Sequence, residues 1–328
     1  MRKIFTSIYA KHIEDFINLK HTLGFKYEAP QSILRKLDQF AIYHKQKTDH
    51  ITKEFSDKWS LKMPNESDIY RYTRITILGQ FSKYLCSIKI KSHIPKLPPY
   101  PSNTFIPYIY SADDIEAIFA ASNELGMAEI NMGSSIMVMP VLIRILYATG
   151  IRIKEALSLQ DDDIDIENHS LKIRDSKNGK ERMVPITKSL ASACKQYRQY
   201  KSKLPIKPSP YFFVSLNGRR CGYGSVIFWF RQTLRKAGVH CSDKNLPRIH
   251  DLRHTFAVTS LANMAAAGID LYASLPILST YLGHQSTDST NYYVRLTANM
   301  YPDLIKELDI TCLDVFPKFE NYETDEFF

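Results

Sequence analysis

Three features are scarce or missing in this sequence. Its five cysteines, Cys86, Cys194, Cys221, Cys241 and Cys312, are odd in number and scattered. That argues against a zinc ribbon or a disulfide framework and suits a reducing compartment. Long apolar runs are absent: "SSIMVMPVLIRILYATG" is interrupted by Pro140 and Arg144, so no transmembrane helix is expected. The opening "MRKIFTSIYAKHIEDF" turns charged too soon for a secretory signal. The expected location is therefore cytoplasmic, with no membrane partner. There is also no internal repeat and no low-complexity tract.

What is present is ordinary globular composition, 44% apolar and 23% charged over 328 residues, enough for two domains with real cores. The charge is unevenly placed. Residues 1–100 hold 18 Lys and Arg against 9 Asp and Glu, whereas residues 301–328 hold 2 against 8. A basic front and an acidic tail point to a polyanion partner at one end and a protein partner at the other. Charge alone fits equally well a basic protein that binds no polyanion.

The chain divides at "HIPKLPPYPSNTFIPY", whose five prolines break helices and make a stiff spacer. Residues 1–100 are expected to form a helical domain. Ile13, Phe16 and Ile17 make an apolar face with Gly24 as a stop, and Ile33, Leu37, Phe40 and Ala41 repeat the pattern. A helix capped by Ser67 carries Ile75, Leu78 and Leu85 inward and Arg71, Arg74 and Lys83 outward, with Lys89 and Lys91 following. Basic residues with interleaved tyrosines suit phosphate contacts, and each taken singly also suits a solvated face. Beyond the prolines, Ser111 caps a new helix with Asp113 and Asp114 in its first turn. "DIDIENHSLKIRDSKNGKERMVPIT" alternates around Ile164, Ile166, Leu171, Ile173, Met183 and Pro185, and its "ENH" and "KNGK" are turn signals. The expected fold is mainly α with a small three-stranded antiparallel sheet.

"RIHDLRH" puts His250 and His254 on one helix face with Arg253 beside them. Histidines at that spacing suggest zinc, but a neighbouring cation weakens such a site, and the zincin pattern has glutamate where Asp251 stands. No metal is expected. "YATGIRIKEALSLQDDDID" ends one helix at Gly150 and starts the next at Arg152, with Glu155 one turn on to hold it. Lys177 sits at the Asn-Gly hairpin tip, and "YLGHQSTDSTNYYVRL" supplies His284, Tyr292 and Tyr293.

Each motif is weak alone, but their fixed order resembles the tyrosine recombinases, the phage-integrase family of site-specific DNA recombinases. Residues 109–300 carry the resemblance. Residues 1–100 match the family's core-binding domain in kind but not by motif. The resemblance implies a two-domain architecture, no cofactor, and a catalytic set of Arg152, Lys177, His250, Arg253, His284 and Tyr293. Glu155 and the "LSLQDDDID" that follows it also fit the pattern. His254 either reaches the phosphate or holds the helix from the core. The segment between His254 and Leu282 is longer than the common pattern. The implied partners are double-stranded DNA and further copies of the chain in a tetrameric synapse, with partner recombinases or accessory proteins admitted. The tail, residues 301–328, is acidic with Leu304, Ile305 and Leu308 on one face. It either contacts a neighbouring protomer or folds back on its own domain.

The chemistry explains the set without a metal. Two arginines can bind the non-bridging oxygens of a phosphodiester through their planar forks. His284 can donate as charge builds up. A tyrosine, pKa ~10, benefits from a base such as His250, and Lys177 can protonate the leaving 5′ oxygen. The product would be a 3′-phosphotyrosyl enzyme. Alternatives are a topoisomerase-like or end-resolving enzyme with the same chemistry, a non-catalytic DNA-binding relative positioning a partner recombinase, and a metal nuclease.

Overall fold

The computed structural model describes residues 5–101, 106–127, 129, 131–174, 181–204, 206, 208–239, 247–283, 293, 296 and 297. The chain forms two compact units, Met1–Phe105 and Ile106–Phe328, and the division falls inside the proline-rich stretch.

The first unit is built from α1 (Ala10–Thr22), α2 (Glu28–Tyr43), α3 (Lys53–Ser60) and α4 (Asp68–Ser87). Its core gathers Ile13, Phe16 and Ile17 of α1, Ile33, Leu37 and Ala41 of α2, and Leu78, Phe81 and Leu85 of α4. Ser67 caps α4 by accepting from the Tyr70 amide at 3.2 Å. One assignment needs correcting. Arg74 does not lie on the outward basic face: it is 1% exposed. Its Nε donates to Glu66 Oε1 at 2.8 Å and its Nη2 to Glu66 Oε2 and Leu61 O, both at 2.9 Å. Its guanidinium lies 4.8 Å above the Trp59 ring. The reason is helical spacing, since positions 74, 78, 81 and 85 form one inward stripe. Arg71 is half-buried and donates to Ser60 O, while Lys83, Lys89 and Lys91 are exposed.

This pair sets a stability expectation. In Arg74→Ala the Glu66 carboxylate stays buried without its cation, which should cost about 3 kcal/mol in denaturant unfolding. Lys83→Ala should leave the unfolding curve unchanged. An unaltered midpoint for Arg74→Ala would mean that water reaches Glu66.

The second unit contains α5 (Ala112–Asn123), α6 (Met139–Thr149), α7 (Ile153–Ala156), β1 (Ile164–Asp165), β2 (Ser170–Ile173), β3 (Arg182–Pro185), α8 (Lys188–Ser202), α9 (Tyr223–Lys236), α10 (Asp251–Ala266) and α11 (Leu271–Leu282). Ser111 and Asp114 cap α5 reciprocally, side chain to amide at 3.1 and 3.0 Å. α6 packs against α5, α8, α9 and α10 and buries Leu142, Ile143, Ile145 and Leu146. A helix covered on most sides is apolar nearly all round, which accounts for the run around Pro140. Among the described residues no helix is long and apolar enough to cross a membrane.

The sheet is antiparallel in the order β1-β2-β3. Ile164 pairs with Leu171, and Leu171 with Val184. On β3 it is Val184 that is buried, while Met183 is exposed. The alternation assigned from Met183 and Pro185 is thus one residue out, because pairing to Leu171 puts Val184 on the core face. The Asn-Gly tip, including Lys177, lies outside the described residues. In the long segment before His284, α10 and α11 pack together through Val258, Leu261, Leu278 and Leu282.

Candidate active site

The site begins where α6 stops. Gly150 ends the helix in the left-handed region, φ +60°, and a side chain there would collide with the Phe256 ring. Only glycine meets both conditions. Two residues on, Arg152 forms the entry to α7. Its amide donates to Glu155 Oε2 at 3.0 Å and its Nη1 to Glu155 Oε1 at 2.9 Å. Its Nη2 reaches Gly283 O at 3.2 Å.

Arg253 stands in the first turn of α10 and is 3% exposed. Its Nη1 donates to Gly150 O at 2.7 Å and its Nη2 to Leu282 O at 2.9 Å. Two carbonyls from distant segments thus fix the plane of the guanidinium. Burial, first of all, lowers its pKa to about 10, which still leaves it cationic at neutral pH.

Tyr293 is 3% exposed and hydrogen-bonds Arg253 through its side chain. Burial raises its pKa, and the nearby charges of Arg253 and Arg152 pull back part of that rise. His250 precedes α10, and its ring lies edge-on to His254 at 5.0 Å between centroids. His254 lies 5.6 Å from the Tyr293 ring. His254 therefore lies between the rings of His250 and Tyr293.

Burial, then the neighbouring His254 and Arg253, push His250 down to about 4. At neutral pH it is uncharged, and its basicity is lower than that of a solvated imidazole. The folded value lies below the ordinary 6.5, so its contribution to stability is complete above pH 6.5 and is lost as pH falls towards 4. An NMR titration of the imidazoles should put its midpoint near 4. A midpoint at the ordinary value would show a solvated ring.

Arg152, Glu155, His250, Arg253, His254 and Tyr293 thus come together. Lys177, His284 and Tyr292 lie outside the described residues. Among the described residues no three metal-ligating side chains converge. Sequence reasoning missed Arg182. Its Nη2 lies 2.8 Å from Glu155 Oε2 and its Nη1 3.3 Å from Oε1. Its Nε donates to Tyr281 O at 3.0 Å. The signal was a charge two positions from Val184, on the strand face that turns inward.

Residues 109–300 match the family described as the phage integrase family. The protein y4rB of Sinorhizobium fredii, to which an integrase/recombinase activity is ascribed, is 30% identical over 306 residues, 92% of this chain and 96% of its own length. Tyrosine recombinase XerA of Pyrococcus furiosus is 30% identical over 173 residues, 52% of this chain and 54% of that protein. Among solved structures, XerH site-specific recombinase bound to a palindromic difH substrate aligns with TM-score 0.61 at 19% identity, covering 87% of this chain and 78% of that one. A lambda integrase dimer bound to a COC′ core site aligns with TM-score 0.62 at 15% identity, covering 86% and 76%.

Proposed function

Since this chain belongs to the phage integrase family and is a tyrosine recombinase, we propose that it cleaves and rejoins double-stranded DNA through a 3′-phosphotyrosyl intermediate. The observation that carries this reading is the contact of Tyr293 with Arg253, with Arg152 close by and His254 between the rings of Tyr293 and His250. A scissile phosphate between the arginines would have its non-bridging oxygens neutralised. Tyr293 Oη attacks phosphorus, forming one P–O bond, while its proton passes to His250. The P–O5′ bond breaks, and Lys177 supplies the proton that turns the leaving oxygen into a hydroxyl. His284 adds a hydrogen bond to the crowded phosphate. The phosphotyrosyl ester keeps the bond energy, so a second 5′-hydroxyl reverses the steps and seals the strand without ATP.

Binding is shared in this reading. Lys83, Lys89 and Lys91 supply exposed charge for the phosphate backbone, and two copies or more meet on the DNA. The neighbours XerH and lambda integrase carry DNA in their structures, which supports both points. Arg74 takes no part in the binding.

The test uses a suicide substrate, nicked beside the cleavage site so that the released end diffuses away. The chain should accumulate a covalent complex that survives detergent, in excess EDTA as well as without it. A complex lost in EDTA and restored by one divalent ion would favour a metal nuclease. Intact DNA binding with no covalent complex would favour the non-catalytic relative.

A further inference from the structure

We infer that Arg182 is a positioning residue of the strand-transfer site, setting both Arg152 and the helix end that leads to His284. The inference rests on the proposed chemistry. At the end of α11 the last carbonyls have no partner within the helix and form its negative pole. Three consecutive carbonyls there are taken by three arginines from different elements. Tyr281 O accepts from Arg182, Leu282 O from Arg253 and Gly283 O from Arg152. Gly283 has φ +66°, and a Cβ on it would lie 3.1 Å from Arg182 Nη1. The next residue in the chain is His284.

Arg182 also grips the other side of the arrangement. Glu155 has a side chain only 6% exposed, and its two oxygens accept from Arg152 and Arg182 together. Burial by itself would raise the Glu155 carboxyl, but the Arg182 hydrogen bond leads the contacts that hold it below the usual range. A charged carboxylate fixes the plane of Arg152. Each of the three guanidinium nitrogens of Arg182 already donates to a protein oxygen. In this arrangement its work is on the protein, through Arg152 and the α11 end.

The test compares Arg182→Gln and Arg182→Lys with the wild-type chain on the suicide substrate, at saturating protein and in single turnover. Arg182→Gln should cleave about 10²-fold more slowly, the scale of a misplaced catalytic group, with DNA affinity unchanged. Arg182→Lys, which keeps the charge but loses the fork, should recover part of the rate. In combination with Glu155→Gln the two losses should be less than additive. A methylphosphonate at the scissile position, which lacks the negative oxygen, should rescue neither Arg182 variant.

A wild-type rate in Arg182→Gln would overturn the inference. So would a loss confined to DNA affinity, additive losses, or rescue by the methylphosphonate, which would place Arg182 on the phosphate itself. If Arg182→Gln does not fold, Arg182→Lys carries the same measurements. A wild-type chain that forms no covalent complex would overturn the proposed chemistry, and the inference with it.

Discussion

Tyr293→Phe should fold, bind DNA and form no covalent complex. The substitution removes one oxygen. The ring stays in a cluster with Leu261, Leu278, Leu282 and Leu296, so the apolar contacts survive and only the hydrogen bond to Arg253 is lost. Covalent attachment should fall by roughly 10⁵-fold or more, the scale of removing a nucleophile. Tyr292→Phe should attach at the wild-type level. Adjacent residues on a helix point about 100° apart, so both hydroxyls cannot face one phosphate. The hydroxyl beside Arg253 is that of Tyr293, nine residues after His284. Peptide mapping of the trapped complex decides the matter: phosphotyrosine at position 292 would show the register to be wrong.

Lys177→Ala should lose activity on ordinary DNA and regain it on a substrate with sulfur at the 5′-bridging position. An alkoxide is a poor leaving group, and supplying its proton contributes about 10²–10⁴-fold. A thiol has a pKa of about 8.5, so a thiolate departs without that proton. Ordinary DNA should therefore show a loss of about 10³-fold, and the sulfur substrate almost none. A variant equally slow on both substrates would show that Lys177 acts on something other than the leaving group, such as the grip on the DNA groove. Its neighbours Asn178 and Gly179, a turn signal in the sequence, would suit that role too.

How far the site could be read from the sequence depended on the separation of its parts. Arg152 and Glu155 are three residues apart, and Gly150 marks the helix end before them, so their pairing was legible. The same holds for His250, Arg253 and His254, set by the period of one helix. Arg182 meets Glu155 across 27 residues. That contact depends on the pairing of β2 with β3, where the third strand was assigned one residue out. Arg74 failed for the opposite reason. Its position on the inward stripe could be read, but a charge invited an outward placement, and its partner Glu66 lies on the preceding loop. The small sheet and the caps at Ser67 and Ser111 were legible because turn and cap chemistry is local.

The capture of the α11 carbonyls bears on when the site comes into being as the chain is made. Arg152 meets Gly283 across 131 residues, and Arg253 meets Gly150 across 103. Contacts so distant in sequence close late in folding. Synthesis from the N-terminus lets the first unit and the α5–α6 core gather before the last helices leave the ribosome. A nascent chain that ends before α11 holds its arginines without the α11 carbonyls that help to set them, and without Tyr293. Under the proposed chemistry, a chain that ends before Tyr293 lacks the nucleophile and should cut no DNA.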